Sequence, residues 1–146
     1  MKEKLYTIPV NEAFDTDCEC PLCMMYKSLE ENAIDFTMGP SYMEDDIRVA
    51  TSQMGFCQKH LQQLYDAQNR LGLALILKSH MDTIINNVSK QTQPGARMVQ
   101  SLFKRKPDAS GVAAYIDELE DKCFVCDKIE GTFDRYIATV FHLYHN

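Results

Sequence analysis

The sequence predicts an all-α protein: a helical hairpin closed by a Cys/His metal site, followed by a long helix and a C-terminal helical segment. Three observations predict this fold. Apolar residues recur at steps of three and four, which is the period of one face of a helix. The alternation of apolar and polar residues that marks strands is scarce. Closely spaced pairs of cysteine and histidine stand at the starts of the predicted helices.

The first predicted helices build the hairpin. A short helix is expected over Thr7–Phe14, and after a cysteine-rich loop a strongly amphipathic helix follows. Gly39-Pro40 is expected to end that second helix. Ser41, with Glu44 three residues later, is typical of a capping box and predicts the start of the returning helix. The predicted apolar face of the outgoing helix comprises Leu22, Tyr26, Leu29, Ala33 and Phe36.

The rest of the chain is predicted to hold three further helices. A long one runs from about Gln58 to Val88, and Gly72 within it is expected to weaken or bend it. Residues 91–111 lose the helical period and are interpreted as a linker. A further helix is expected around Val112–Leu119 and a last one over Asp127–Tyr144.

Three segments follow from this organisation. Residues 1–90 form the predicted metal-binding half, 91–111 the linker and 112–146 the C-terminal segment. Cys20-x-x-Cys23 and Cys123-x-x-Cys126 each open a predicted helix, and this similarity suggests that the C-terminal segment is a truncated repeat of the first half.

Charge and composition exclude some partners. The chain has 146 residues and a net charge of −6, whereas nucleic-acid binding needs a basic face. No apolar run approaches the length of a membrane span, and the first residues do not resemble a signal peptide. We therefore expect a cytoplasmic protein that binds neither nucleic acid nor membrane. In that reducing compartment its six cysteines are expected to be ligands or thiols rather than disulfides.

The strongest functional signal is Cys20-x-x-Cys23 followed by Cys57-x-x-His60. Two short-spaced pairs separated by a few tens of residues are typical of tetrahedral zinc. Outgoing and returning helices of similar length, each about 21 Å at 1.5 Å per residue, would bring Cys57 near Cys23. Four protein ligands fill the tetrahedron, so a structural Zn²⁺ is favoured over a catalytic one.

Alternative ligand sets remain open at this point. An iron–sulfur cluster could use the four thiolates of Cys18, Cys20, Cys23 and Cys57, although the imidazole favours zinc. Cys18 is otherwise a free thiol, an alternative ligand or a partner for redox exchange. Cys123 and Cys126 are less favoured as ligands because no obvious pair completes them: His142 would lie about 24 Å along the helix from Cys126.

Other residues with chemical potential have simpler interpretations. A thioredoxin-like redox motif is expected in a βαβ setting, and the two CxxC pairs instead precede helices. Glu30-Glu31 is interpreted as part of a solvated helix face, and His80 as structural or exposed.

Several blocks of the sequence resemble an uncharacterised family of bacterial cytoplasmic proteins, a domain of unknown function. They are the first ten residues, the run Cys18–Cys23, the block Gly55-Phe56-Cys57-Gln58-Lys59-His60 and Cys123-Phe124-Val125-Cys126. Members of that family typically carry a second Gly-Phe-Cys-x-x-His block, which this sequence lacks. The resemblance therefore implies one complete metal site, and it implies no established activity.

Three functions are compatible with these features. The favoured one is a non-enzymatic, zinc-stabilised helical module that binds another protein or a second copy of itself. A thiol/zinc redox sensor is an alternative, because oxidation of zinc-bound thiolates releases the metal. An enzyme of unknown reaction is the third, and it would need an open coordination position or an activated nucleophile.

Overall fold

The computed structural model describes residues 3–92 and 110–145, which form seven α-helices and one 3₁₀ turn and include no strand. The all-α prediction is confirmed. Most of the predicted linker, residues 93–109, lies outside the described residues. In chain order the elements are α1 (Glu3–Asp15), α2 (Pro21–Met38), the 3₁₀ turn (Pro40–Met43), α3 (Asp45–Met54), α4 (Gln58–Asp66), α5 (Arg70–Thr92), α6 (Ser110–Glu120) and α7 (Phe124–His145).

The C-terminal helix packs directly on the first half of the chain. Near the start of α2, the ring of Tyr26 meets Phe133 edge-on with centroids 5.3 Å apart. Near its end, the ammonium of Lys128 lies 4.0 Å from the ring centroid of Phe36. The two helices are therefore antiparallel. Their shared core draws on α2, α4, α5 and the start of α7, and its buried side chains are Ala33, Ile34, Met38, Leu64, Leu73, Ile76, Cys123, Phe124, Val125 and Ile129.

A smaller apolar cluster attaches α1 to this pair. Val10 and Ala13 of α1 are each 2% exposed and pack with Met25 of α2. Phe133 and Val140 of α7 pack against the same cluster. The N-terminal helix is thus held against both α2 and α7 by burial of apolar surface.

The predicted single helix from Gln58 to Val88 is wrong, because the chain breaks between α4 and α5. Gln68 has a positive φ of 63°, which ends the helix. The side chain of Asn69 then caps α5: its Oδ1 accepts the N–H of Gly72 at 3.0 Å. Its amide also donates to the carbonyl of Met38, at 2.7 Å, which satisfies a free end of α2.

Gly72 therefore marks a tight capping contact rather than a bend. A Cβ atom at this position would lie 2.7 Å from Nδ2 of Asn69, too close without movement of the cap. The glycine leaves room for the side chain that starts α5.

The returning leg of the hairpin also begins differently from the prediction. Ser41 lies in the 3₁₀ turn, and α3 starts after Glu44, whose side chain makes no capping hydrogen bond. The capping-box prediction is therefore wrong. Asp45 and Asp46 occupy the first turn of α3 instead, where negative charge is favoured by the helix dipole.

The two legs of the hairpin have unequal lengths, contrary to the expectation. The outgoing helix α2 has 18 residues and the returning helix α3 has 10. At 1.5 Å per residue these are about 27 Å and 15 Å, so the chain returns only part of the way along α2. The start of α4 accordingly lies beside Glu30, in the middle of α2, where Lys59 and His60 contact the carboxylate.

None of the described helices is both long enough and apolar enough to cross a membrane.

Two isoleucines of α5 provide a matched test of the core. Ile76 is 1% exposed and Ile85 is 61% exposed. We expect Ile76→Ala to lower the free energy of unfolding by about 2–5 kcal/mol, because it leaves a cavity in the core. We expect Ile85→Ala to change it by less than about 0.5 kcal/mol. Urea unfolding followed by circular dichroism measures both, and equal losses would contradict this description of the core.

Candidate metal centre

Four side chains from two distant parts of the chain converge at the junction of α4 and α7. One potential ligand atom from each of Cys57, His60, Cys123 and Cys126 lies within 4.8 Å of all the others. His60 and Cys123 are buried, and Cys57 and Cys126 are partly buried. Because His60 is 63 residues from Cys123 and 66 from Cys126 in sequence, the group joins the two halves of the protein.

Helix starts position these ligands. Cys57 is the N-cap of α4 and His60 is in its first turn, so a spacing of three places both side chains on one face. Cys123 directly precedes α7 and Cys126 is in its first turn. Each pair therefore has the same local geometry, and the two helix starts face one another.

Gly55 holds the two ligand pairs in register. It ends α3 with a positive φ of 66°, a conformation that glycine adopts without steric cost. Its carbonyl accepts the N–H of Phe124 at 3.0 Å, which links the turn before Cys57 to the start of α7. A Cβ atom at Gly55 would lie 2.6 Å from Nε2 of His80. His80 itself donates from Nδ1 to the carbonyl of Ser52 at 2.8 Å, so its role in this turn is structural.

The imidazole of His60 lies at the centre of the group. Its Nδ1 is 3.2 Å from the sulfur of Cys57 and 3.3 Å from the sulfurs of Cys123 and Cys126. One ring nitrogen has at most one proton and cannot donate to three sulfurs at once. Zinc bonds of about 2.3 Å to sulfur and 2.0–2.1 Å to nitrogen in a tetrahedron imply N···S separations of about 3.6 Å. The donors therefore fit a tetrahedral ion after an outward shift of a few tenths of an ångström.

Glu30 orients this imidazole from the opposite side. Nε2 of His60 donates to Oε1 of Glu30 at 3.0 Å, which leaves Nδ1 directed at the three sulfurs. A carboxylate that accepts the second N–H of a ligating histidine fixes the ring and its tautomer. The interpretation of Glu30 as part of a solvated face is wrong: the residue is 8% exposed. Helical periodicity from Ala33 and Met38 could have placed Glu30 near the buried face, but not beside His60.

The charge of Glu30 is stabilised where it lies. Burial by itself raises the pKa of this carboxyl, but hydrogen bonds from Lys59, Gln63 and His60 outweigh burial and hold the pKa below its ordinary value. The ammonium of Lys59 makes an ion pair with the same oxygen. Glu30 is therefore available as an anionic acceptor for the histidine at neutral pH.

The thiols have opposite tendencies to ionise. Burial raises the pKa of the Cys57 thiol, but the backbone N–H of His60 and hydrogen bonds with Cys123 and Cys126 bring it below the ordinary value. Burial and the neighbouring Cys123 raise the pKa of Cys126 to about 12. Three thiolates at this spacing repel one another, so a cation is needed for all three to ionise together.

The structure divides the predicted ligands into two groups. Cys57 and His60 lie in the cluster, together with Cys123 and Cys126, which the sequence made less favoured. Cys20 and Cys23 lie outside it and are joined to one another as a disulfide. Cys18 is a free thiol whose sulfur lies 3.9 Å from the carbonyl oxygen of Ala13.

Two expectations are corrected by this arrangement. Cys20 and Cys23 were expected to be ligands or thiols rather than a disulfide, and that expectation is wrong. The four thiolates proposed for an iron–sulfur cluster, those of Cys18, Cys20, Cys23 and Cys57, are also not assembled. The physical reason is the short α3, which returns the chain to the middle of α2 rather than to its cysteine-bearing start.

The histidines at the C-terminal end are not needed to complete the second cysteine pair. Cys126 and His142 both belong to the continuous helix α7, so they are separated along its axis by about 24 Å at 1.5 Å per residue. Cys123 and Cys126 find their complement in Cys57 and His60 instead. A metal ion held by this group would have four protein donors, the number typical of structural zinc sites.

Replacement of Glu30 tests its role in orienting His60. We expect Glu30→Ala to weaken zinc binding by about 10–100-fold, because the imidazole loses the acceptor that fixes its ring. The matched control is Glu31→Ala on the same helix, because the Glu31 side chain is 65% exposed and forms a surface ion pair with Lys27. Competition with a chromogenic chelator measures the affinities of both variants. The same affinity for the two variants would contradict a role for Glu30.

Comparisons with known proteins place the chain in a family without assigning it an activity. Among curated proteins and among solved structures, no match to this chain is found. A model of a family of unknown function matches residues 1–146. The chain therefore belongs to that family, DUF6062, as the resemblance of its sequence blocks predicts.

Proposed function

We propose that this protein binds one structural zinc ion through Cys57, His60, Cys123 and Cys126, and that it acts as a non-enzymatic helical module in contact with another protein. The observation that supports the zinc site is the convergence of three sulfurs and one imidazole nitrogen within 4.8 Å. Such a ligand set is typical of structural zinc.

Zinc suits this site better than an iron–sulfur cluster. The ligand set contains an imidazole, and thiolate clusters generally use four cysteines. The filled d shell of Zn²⁺ imposes no geometry of its own, so the ion can accept the arrangement of ligands that the protein provides. In structural sites this arrangement is almost always tetrahedral. Burial and the neighbouring cysteines raise the pKa of Cys126, and the bound ion would offset both effects by stabilising the thiolate.

The proposed role of the ion is to join the halves of the chain. It would link the start of α4 to the start of α7, which are more than 60 residues apart in sequence. Metal bound only by the folded state adds its binding free energy to the stability of that state. The core around the site would therefore depend on the metal.

Contact with another protein is favoured over catalysis by two features. The four protein ligands leave no vacant coordination position for a substrate. In addition, Met81 and Ile85 lie one helical turn apart on α5 and are 58% and 61% exposed, so they offer an apolar surface to a partner or a second copy. The cytoplasm is the proposed location, because the three thiols of the site must stay reduced to bind the ion.

A redox sensor is the second candidate, on a specific observation. Cys57 and Cys126 are only partly buried, which favours access of a small oxidant to this part of the cluster. Oxidation of zinc-bound thiolates would release the ion and loosen the junction of α4 and α7. Release of zinc by mild peroxide, with recovery after addition of reductant, would favour this role over a purely structural one.

Metal analysis with matched cysteine variants tests the proposed site. We expect one zinc per chain in protein purified without a metal-chelating column or added metal. We expect Cys57→Ser to abolish stoichiometric zinc and to lower the melting temperature strongly, because a ligand is lost from the junction. Cys18→Ser is the control and should retain both the zinc and the melting temperature of the wild type. Elemental mass spectrometry and differential scanning fluorimetry measure the two properties.

Other outcomes of that experiment would contradict the proposal. Equal melting temperatures for Cys57→Ser and Cys18→Ser would refute the ligand assignment. Iron and labile sulfide in the purified protein would show that the site holds an iron–sulfur cluster rather than zinc. Protein that is fully folded and free of metal after purification would refute a structural ion altogether.

A further inference from the structure

The cysteine pair at the start of α2 is separate from the metal centre. Cys20 and Cys23 form a disulfide, and neither belongs to the group around His60. Glu30, the residue of α2 that contacts the metal centre, is seven positions beyond Cys23, or about 10 Å along the helix at 1.5 Å per residue. The proposed metal site therefore leaves this disulfide without a function.

The two sulfurs of the disulfide have different environments. Cys23 is exposed, whereas Cys20 is partly buried. Cys20 is also the N-cap of α2, and its sulfur accepts the backbone N–H of Cys23 at 3.1 Å. A thiolate at a helix N-terminus is stabilised by the free N–H groups and the helix dipole. The first turn of α2 contains no acidic residue, and Glu19, which directly precedes Cys20, is exposed to solvent.

We propose that Cys20 and Cys23 are a thiol–disulfide exchange site whose substrates are dithiols and disulfides. A thiolate of an external dithiol attacks the exposed sulfur of Cys23 and forms a mixed disulfide with it. The Cys20–Cys23 bond breaks, and its electron pair goes to the sulfur of Cys20, which remains as a thiolate at the helix N-terminus.

The second half of the reaction completes the transfer. The second thiol of the reductant attacks the mixed disulfide, and the electron pair of the broken bond leaves with the sulfur of Cys23. The external dithiol becomes a disulfide, and the cysteine pair takes up two electrons and two protons. The reverse reaction oxidises the pair with an external disulfide. The assignment of roles follows from exposure, which decides the sulfur that is attacked, and from the helix N-terminus, which stabilises the sulfur that leaves.

The surroundings of the pair allow another molecule to approach. Leu22, between the two cysteines in sequence, is 37% exposed, so it offers an apolar contact beside the cysteine pair. A βαβ setting is therefore not required for this chemistry, because the helix start and the exposed sulfur are both present in an all-α protein.

Reversible reduction of the purified, metal-loaded full chain tests the proposal. The protein is oxidised with glutathione disulfide, treated with dithiothreitol, alkylated and analysed by peptide mass spectrometry. We expect reduction to expose two thiols that map to Cys20 and Cys23, reoxidation to remove them, and the metal content to stay constant. With reduced glutathione as a monothiol, we expect the trapped mixed disulfide on Cys23 rather than Cys20.

Variants separate this site from its neighbours. Cys20→Ser retains a good N-cap residue, so the helix start is kept while the exchange is lost. Cys23→Ser should lose the exchange as well, and Cys18→Ser, the control, should keep it. The mapping of thiols to Cys20 and Cys23 does not depend on whether the Cys57/His60/Cys123/Cys126 group holds zinc. Failure of the proposed zinc site can therefore be distinguished from failure of the exchange site.

Three results would overturn the exchange site. The first is a pair that stays reduced in the presence of glutathione disulfide. The second is a mixed disulfide found on Cys20. The third is a pair that becomes alkylated only after a chelator is added, with a second metal ion lost from Cys20→Ser and Cys23→Ser, which would make the pair part of another metal site.

Discussion

The contact between the start of α4 and the start of α7 is the interaction on which the rest of the structure depends. It brings His60 against Cys123 and Cys126, and it is supported by the backbone hydrogen bond from Phe124 to Gly55. Phe124 and Val125 stand between the two cysteines and are 8% and 0% exposed. The same short segment therefore supplies two residues of the candidate metal centre and two core side chains, so this Cys/His group and the hydrophobic core are built together.

Each ionisable group at this junction depends on a neighbouring group to stabilise its charge. A buried carboxylate is costly unless it is paired, and Glu30 is paired with Lys59 and His60. Burial and the neighbouring cysteines raise the pKa of Cys126, so the three thiols do not all ionise together unless a cation is bound. Glu30, His60 and the three thiols thus form a continuous series of hydrogen-bonding contacts. Through this series, α2 is connected to the start of α4 and to the start of α7.

Most of the helices could be predicted from hydrophobic periodicity, because the apolar residues that pack against neighbouring helices recur on one face. The starts and ends of helices were predicted less well for a physical reason. The break after α4 depends on Asn69, whose side chain caps α5 while its amide reaches the carbonyl of Met38, 31 residues earlier. A contact with another helix decides that boundary, and a local pattern around Gly72 gives no sign of it. Ser41 likewise has the local pattern of a cap, but the chain forms a 3₁₀ turn there.

The sequence by itself determined the helical class, the family, and the presence of two CxxC pairs and one Cys-x-x-His pair that can bind a metal. The tertiary structure decided which CxxC pair meets Cys57 and His60. The two pairs have the same spacing and both precede helices, so no local pattern distinguishes them. The lengths of α2 and α3 do, because 10 returning residues cannot retrace 18 outgoing ones. The start of α4 therefore lies beside Glu30, and the antiparallel packing of α7 on α2 brings Cys123 and Cys126 to the same point.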